Sequence, residues 1–321
     1  MSELNFVYLT GAGASANALP MTATFHQRLL DFYHSYKTSR EDLEFQKGAH
    51  ATEPLRHEPK LLKCVEWLID QTERHASIDT YAKKLIVRGD KQKLLELKAT
   101  LSVFFVIEQS RRLVDPRYDS FIASIVKYVP QRPATFPKNL KILTWNYDMQ
   151  IEKAFYEYCP NEDLVIKQIA LADNIVRING VAGTIQSGHI GANYTSVLRS
   201  FTINTIIDTL DMFGKYIENP SEYQPDINFA WEQPDFYIER IVKPIASIAN
   251  ILVIIGYSFP FFNREIDRLI LALMKNLSKI YVQVPKQSHN DIGERLNALS
   301  KNLPEITYIG DLDRFYIPYE F

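Results

Sequence analysis

The feature that most constrains this chain is a glycine-rich turn close to its amino terminus. The run from Phe6 to Leu9 is short and β-prone, and it leads directly into Thr10-Gly11-Ala12-Gly13-Ala14-Ser15. After Pro20 the apolar residues recur at three- and four-residue steps, which is typical of a buried helix face. The segment therefore predicts a strand, a turn and a helix. Because backbone N–H groups and a helix amino terminus can approach a pyrophosphate at such a turn, the expected ligand is a dinucleotide.

The surroundings of this turn exclude two common nucleotide-binding classes. Gly11 and Gly13 supply backbone freedom, and Ala16 stands where the usual fingerprint has a third glycine or alanine. A dehydrogenase would place a second strand, ending in an acidic residue, about 20 to 30 residues further on. Here residues 25–36 have helical spacing instead, so hydride transfer is disfavoured. No Lys-Ser/Thr pair follows the glycines, which excludes a P-loop. Taken alone, the motif is also compatible with a tight turn that binds nothing.

Composition limits the partners of the chain. Its formal net charge is -2, so it has no overall electrostatic reason to bind nucleic acid or an anionic membrane. We find no basic leader followed by an apolar stretch and no apolar run of membrane-spanning length. Only Cys64 and Cys159 are present, which excludes a four-cysteine zinc site and argues against a disulfide framework. We therefore expect a cytoplasmic protein with no zinc, no membrane and no direct nucleic-acid partner.

The distribution of helical and β-prone segments predicts an α/β fold. Helical spacing extends from about residue 22 to 130, and β-prone runs return at 140–144, 165–169, 175–178, 251–255 and 280–284. Alternating strands and helices favour a doubly wound, mainly parallel Rossmann-like sheet. We assign residues 1–24 plus 136–321 to this dinucleotide-binding domain and residues 25–135 to a large helical insertion. The polar stretch 219–235 is expected to be a long loop.

Three further junctions place small or polar residues after an apolar strand. They are Thr144-Trp145-Asn146-Tyr147-Asp148, Ile178-Asn179-Gly180 and Gly256-Tyr257-Ser258. Open α/β sheets bind ligands at the carboxyl ends of their strands. Together with the glycine turn, this order resembles the sirtuin family, in particular the bacterial sirtuin-like domains of antiphage defence systems. The resemblance spans the sheet-forming parts, about half of the chain, and implies a pocket that binds NAD+ as substrate and breaks the bond between nicotinamide and ribose.

The resemblance implies that Asn146 is the principal catalytic residue. The side-chain amide can both donate and accept hydrogen bonds, as the positioning of a water or of ribose hydroxyls requires. Asp148 is a second catalytic candidate that would hold ribose hydroxyls or stabilise positive charge. The alternatives are a turn residue for Asn146 and a helix N-cap for Asp148. The predicted cofactor-binding residues are Gly11, Ala12, Gly13, Ser15, Thr144, Asn146, Asp148, Gly256, Tyr257 and Ser258.

The chain departs from the family pattern at the catalytic histidine. The corresponding position holds Asn179, which cannot take a proton near neutral pH, so protein deacylation is disfavoured. His189, in a flexible-looking stretch, is a candidate substitute; the alternative is a surface-loop histidine. Val284-Pro285 replaces an Asn-Pro that contacts ribose in the family. Ser77-Ile78-Asp79 is similar to a segment of the defence relatives, but locally it reads as a helix start, and we assign it no function.

The leading hypothesis is therefore an NAD+ hydrolase that releases nicotinamide and ADP-ribose as an effector of antiphage defence. We expect a homo-oligomer or a partner defence protein to control it. The first alternative is a catalytically weak module that binds NAD+ or ADP-ribose and senses nucleotide or regulates a partner. The second is a helical interaction platform with a vestigial sheet, which would bind no nucleotide.

Overall fold

A six-stranded parallel sheet lies at the centre of the protein. The computed structural model describes residues 4–46, 55–127, 134–159, 171, 173–186, 189–190 and 201–321. In chain order the described strands are β1 (Phe6–Thr10), β2 (Leu140–Thr144), β3 (Ile175–Arg177), β4 (Gly180–Gln186), β5 (His189–Ile190), β6 (Tyr223–Ile227), β7 (Ile251–Ile255), β8 (Lys279–Gln283) and β9 (Glu305–Ile309). The parallel sheet has the order β3-β2-β1-β7-β8-β9, and β5-β4-β6 form a separate antiparallel sheet.

The strand order defines where a ligand is expected. Successive strands run outwards from β1 through β2 to β3, and then in the opposite direction from β7 to β9. The order therefore reverses between β1 and β7, and ligands of doubly wound sheets bind in the crevice at such a point. The prediction of a doubly wound Rossmann-like α/β fold is confirmed. Among the described helices, none is long and apolar enough to cross a membrane.

Helices cover the sheet and form the insertion between β1 and β2. In chain order the described α-helices are α1 (Phe25–Gln46), α2 (Glu58–Arg74), α3 (Ile78–Val87), α4 (Lys91–Arg111), α5 (Pro116–Ile125), α6 (Gln150–Glu157), α7 (Ile203–Glu218), α8 (Asp235–Tyr237), α9 (Lys243–Ala246), α10 (Arg264–Leu273) and α11 (His289–Leu299). A π-helical turn, Ile238–Val242, links α8 to α9.

Three apolar cores hold these elements together. The alternating side chains of β1 divide between two of them, with Val7 and Leu9 in one core and Phe6 and Tyr8 in the other. The third core joins the insertion helices to α7 and to the antiparallel sheet; Phe104 and Phe213 are fully buried in it. The helices of the predicted insertion thus pack on residues that lie between β3 and β7 in sequence. The proposed domain boundaries at residues 25 and 135 stay a prediction.

Residues 219–235 were expected to form a long loop, but residues 223–227 of that stretch are β6, paired antiparallel with β4. Pro225 lies within this strand, and a proline that interrupts a short polar run is more typical of a loop, which explains the error. The strand expected at 165–169 falls outside the residues that the structure describes.

Candidate functional site

A cavity opens at the carboxyl edge of the sheet, where the ends of β1 and β2 meet the insertion helices. It has a volume of about 180 Å³. The part we call the strand wall consists of Ala12, Ser15, Trp145, Asn146, Tyr147 and Asp148. The part we call the helical wall consists of His26, Thr72, His75, Ser77, Ile78 and Asp79. Apolar side chains, among them Phe25, Leu101 and Phe229, complete the lining.

The glycine turn is a short 3-10 helix, Ala12–Ser15, packed directly on the residue that follows β7. The amide of Gly11 donates to the carbonyl of Ile255 at 3.1 Å, and that of Gly13 donates to Gly256 at 2.9 Å. Gly256 has a φ of 59°, and a Cβ there would lie 2.4 Å from the amide nitrogen of Ala14. These glycines therefore allow two backbones to approach. Gly256, a predicted cofactor-binding residue, lies against the turn, and its contact with a ligand stays a prediction.

Arg117, at the start of α5, fixes the turn from its other side. Its guanidinium donates to the carbonyl oxygens of Gly13 at 3.2 Å and Ala14 at 3.0 Å. The same guanidinium pairs with the buried carboxylate of Asp115 at 2.6 Å. Burial raises the pKa of Asp115, but the hydrogen bonds from Arg117 outweigh burial and leave the pKa below its ordinary value. The ion pair of Arg117 and Asp115 thereby holds the turn in place, and no sequence pattern had indicated it.

Ser15 is the centre of a buried hydrogen-bond network behind the strand wall. Its hydroxyl donates to Asp148 Oδ2 at 2.7 Å. Since this uses the only hydroxyl proton of Ser15, the Tyr118 hydroxyl, at 3.0 Å, must donate to Ser15 Oγ. Asp148 Oδ1 accepts from the Gln150 amide at 3.1 Å. Both carboxylate oxygens of Asp148 are therefore engaged within the protein.

Asp148 lines the cavity, but it is not the N-cap of α6, because that position is Met149. Its side chain instead accepts from the Gln150 amide and so forms the turn that starts the helix. Burial raises the pKa of the Asp148 carboxyl, while the hydrogen bond from Ser15 works in the opposite direction. The catalytic role considered for Asp148 stays a prediction.

Asn146 is held in one orientation by the glycine turn. Its side-chain nitrogen donates to the carbonyl oxygen of Gly11 at 3.0 Å and to Ser15 Oγ at 3.3 Å. Because a carbonyl oxygen can only accept, the nitrogen end of the amide must point toward Gly11. Among the described residues, none donates a hydrogen bond to Asn146 Oδ1. This oxygen is therefore the acceptor that Asn146 has available for a molecule in the cavity.

Tyr257 packs against Trp145 of the strand wall on the side away from the cavity lining. Trp145 stacks on Tyr257, with ring centroids 5.9 Å apart and an angle of 15° between the planes. The Tyr257 hydroxyl donates to Asp267 at 2.9 Å and accepts from the Asn263 side chain at 3.0 Å. Burial raises the pKa of the Asp267 carboxyl to about 8. Tyr257 thus supports the wall through Trp145 and does not itself line the cavity.

Ser77 and Asp79 bring the start of α3 to the helical wall. Ser77 is the N-cap, and its hydroxyl accepts from the Thr80 amide at 3.2 Å, as the local sequence predicted. Asp79, the second residue of the helix, is half-buried in the cavity lining. Burial raises the pKa of the Asp79 carboxyl. The helix start is therefore also part of the cavity, which our local interpretation of Ser77-Ile78-Asp79 missed.

Two histidines lie in the helical wall that the sequence did not single out. His26 Nδ1 is 2.8 Å from the Thr72 hydroxyl, which donates to the carbonyl of Ile69. His75 Nδ1 is 3.0 Å from the carbonyl of Gln71. No sequence pattern around either histidine indicates a site, because His26 lies in α1 and His75 caps the end of α2, and neither belongs to a motif.

Some predicted site residues do not line the cavity. Asn179 is buried, accepts a hydrogen bond from the Asn228 amide through its carbonyl at 2.8 Å, and is absent from the lining. Ser258 is exposed and is absent from the lining. The backbone of His189 belongs to β5, but its side chain lies outside what the structure describes. The predicted binding residues brought together at the cavity are Ala12, Ser15, Asn146 and Asp148, with Gly11, Gly13 and Thr144 directly behind them.

The fold and the site define an α/β protein whose Rossmann-like sheet carries a partly polar cavity at its carboxyl edge, between the ends of β1 and β2. In the described part of the chain, no group of three or more histidine, cysteine or acidic residues is placed to hold a metal ion. Among solved structures, the chain is similar to one titled "Structure of Sir2Tm bound to a propionylated peptide". The identity is 12%, the match covers 97% of this chain and 89% of that chain, and the TM-score is 0.34. No family model and no curated protein matches the chain.

Proposed function

We propose that this protein hydrolyses NAD+ to nicotinamide and ADP-ribose. The observation that carries the proposal is the position of Asn146 in the cavity at the carboxyl edge of the sheet, between the ends of β1 and β2. Its amide nitrogen is fixed by Gly11 and Ser15, and its Oδ1 stays available as an acceptor. A fixed acceptor of this kind can hold a water molecule or a ribose hydroxyl beside a reacting carbon. The resemblance of the four strand junctions to sirtuins supports NAD+ as the substrate.

The size of the cavity suits one end of such a substrate. Its volume of about 180 Å³ is below the roughly 300–1,000 Å³ of sites that enclose a drug-sized ligand. We assign it to the nicotinamide and its ribose, with the remainder of the dinucleotide outside. Both the partly apolar lining and the polar strand wall fit this division, because the nicotinamide ring is flat and its ribose carries hydroxyls.

The reaction needs no acid to activate the leaving group. The bond between ribose C1′ and the nicotinamide nitrogen breaks, and its electron pair neutralises the positively charged ring. The oxygen of water then bonds to C1′, and the displaced proton passes to solvent. Orientation of the water and stabilisation of the positive charge that develops at C1′ are the two demands on the protein. Asn146 meets the first demand in our proposal, and Ser15, Tyr118 and Asp148 keep it in place.

Asn179 favours water over an acyl-lysine as the acceptor. In the resembling family a histidine at this place acts as a base on the ribose hydroxyls. A neutral amide cannot do so near neutral pH. Asn179 is also absent from the cavity lining. Because asparagine stands where the family has the histidine, the cavity lacks that base. Hydrolysis makes no such demand on this position.

Asn179 also supports a second candidate function, a module that binds NAD+ or ADP-ribose without turnover. The biological role that we propose for the leading function is that of an effector in bacterial antiphage defence, held inactive through self-association or by a partner protein. This role is supported by the sequence resemblance alone.

The test measures nicotinamide release and NAD+ binding in parallel. We expect release by the wild-type chain and a loss of about 100-fold or more in Asn146→Ala, since misplacement of the reacting groups has effects of this size. Asn276→Ala is the matched control, because this exposed asparagine bonds only to the carbonyl of Ser247 in the described structure. Binding without release would support the second candidate. If the wild-type chain neither bound nor cleaved NAD+, both candidates would be wrong.

A further inference from the structure

Asp79 differs from the other carboxylates that surround the cavity. Asp148 is engaged through both oxygens, by Ser15 and Gln150. Asp115 pairs with Arg117. Among the described residues, by contrast, no lysine, arginine or histidine forms an ion pair with Asp79. In the part of the chain that the structure describes, Asp79 is therefore a cavity carboxylate without a cationic partner.

This lack of a partner is unusual for the insertion. Its other buried carboxylates have cations close by: Glu58 has Arg40 at 3.2 Å, and Glu96 has Lys60 at 2.9 Å. A desolvated carboxylate costs free energy unless a positive charge or hydrogen bonds compensate. Asp79 has the partial compensation of a helix amino terminus, which stabilises negative charge, but no full positive charge. A position of this kind is suited to a cationic ligand.

The charge of Asp79 also reaches the strand wall. Burial raises the pKa of the Tyr147 phenol, and the Asp79 carboxylate raises it further. Tyr147 follows Asn146 directly and lines the same cavity. The carboxylate is therefore within electrostatic range of the place where we expect the nicotinamide ribose to lie.

We propose that Asp79 binds the positively charged nicotinamide end of NAD+ and stabilises the cation that forms at C1′ when the glycosidic bond breaks. The inference rests on the proposed function and adds its missing electrostatic component. Asn146 positions the water, and Asp79 supplies the negative charge. As nicotinamide leaves with the bonding electron pair, the positive charge moves from the ring to the ribose, and the same carboxylate faces it in both states. Asp79 is then a catalytic residue, and the cavity discriminates the oxidised from the reduced dinucleotide.

The experiment compares ligands that differ in the charge of one ring. Dissociation constants of NAD+, NADH and ADP-ribose are measured by calorimetry in the Asn146→Ala background, where turnover does not disturb binding. We expect NAD+ to bind more tightly than NADH by about tenfold, as a carboxylate near a cation in a partly buried site predicts. Adding Asp79→Asn should remove this preference and leave the affinity for ADP-ribose unchanged. Asp90→Asn is the matched control, because Asp90 also starts a helix but lies outside the cavity.

Turnover supplies a second readout in the otherwise unchanged chain. We expect Asp79→Asn to lower the rate of nicotinamide release at saturating NAD+, and Asp90→Asn to leave it unchanged. If NAD+ is bound and cleaved but Asp79→Asn changes neither the ratio of affinities nor the rate, this inference is wrong while the proposed function stands. If the wild-type chain binds no dinucleotide, the proposed function itself fails.

Discussion

The two walls of the cavity are built on different principles. In the strand wall, Ser15 and Asp148 are buried and hydrogen-bonded to other parts of the protein, and Asn146 leaves one acceptor available. In the helical wall, Ser77 and Asp79 are half-buried, and Asp79 has no cationic partner among the described residues. The strand wall is therefore suited to hold a reacting group in place, and the helical wall is suited to supply charge.

The difference follows from how each wall is formed. The strand wall depends on close contact between two backbones, because Gly11 and Gly13 donate hydrogen bonds to the end of β7. Such contact leaves little freedom, since bulk cannot be added without moving a strand. The helical wall depends on the start of α3, where Ser77 caps the helix. The first turn of this helix places Asp79 in the cavity lining. Substitutions in the two walls should accordingly have different consequences.

The largest effect is expected from Gly256→Ala. The new Cβ would lie 2.4 Å from backbone atoms of Gly13 and Ala14, and the residue would keep a left-handed φ of 59°. The left-handed conformation costs about 1–2 kcal/mol, and overpacking costs about 1–3 kcal/mol more. Urea unfolding should show this loss of stability, and NAD+ binding should weaken because the turn moves.

Gly89→Ala separates the cost of the left-handed conformation from the cost of overpacking. Gly89 has a φ of 73° with no atom within 4 Å of the position of a Cβ, so only the conformational cost applies. We expect a loss of about 1–2 kcal/mol and unchanged NAD+ binding. If both alanine variants lost the same stability and neither lost binding, the backbone contact would not be what shapes the strand wall.

A smaller effect is expected when a serine is removed from each wall. Ser15→Ala leaves Tyr118 and Asp148 without their buried hydrogen-bond partner, at a cost of about 1–3 kcal/mol. It also removes one of the two hydrogen bonds that hold the Asn146 side-chain amide, so nicotinamide release should fall more than stability alone explains. Ser77→Ala removes a helix cap, which costs about 1 kcal/mol, but it leaves Asn146 in place.

Thermal unfolding and the rate of nicotinamide release together test this pair. Ser258→Ala is the control, because this exposed serine should change stability by no more than about 0.5 kcal/mol. It also tests the predicted role of Ser258 in cofactor binding, because loss of such a contact would weaken NAD+ binding. Equal losses of activity in Ser15→Ala and Ser77→Ala would contradict the division of roles between the walls.

The sequence was most informative where one chain segment determines its own structure. The aliphatic runs at 140–144 and 251–255 coincide with β2 and β7, because strands buried on both faces are apolar throughout. β6 was mistaken for a loop, since its pairing with β4 depends on residues far away in sequence. Five strands of the parallel sheet could therefore be predicted from local patterns, whereas its edge strand β9 and the antiparallel sheet were missed.

The same distinction holds at the site. Ser15 and Asn146 were recognisable because each follows a strand that ends at the same sheet edge. Tyr118 is separated from Ser15 by 103 residues, and no local pattern around it indicates their hydrogen bond. Asp79 carried a signal in Ser77-Ile78-Asp79, but a helix start accounts for that segment equally well. Only the packing of α3 against the cavity adds the second role.

A dependence of stability on pH is expected beneath the strand wall. Asp267 has a pKa of about 8 in the folded protein, against an ordinary 3.8. Between these values the folded state holds a proton that the unfolded state has lost, so stability falls as pH rises from about 4 to 8, by at most about 1.4 kcal/mol per pH unit. In Asp267→Asn this contribution should vanish, and urea midpoints measured across the range should decline less steeply than in the wild-type chain. Asp90→Asn should retain the wild-type slope, because Asp90 is exposed. Equal slopes in all three chains would show that the buried Asp267 carboxyl, which accepts from Tyr257, keeps an ordinary pKa. Its titration would then not contribute to the pH dependence of stability.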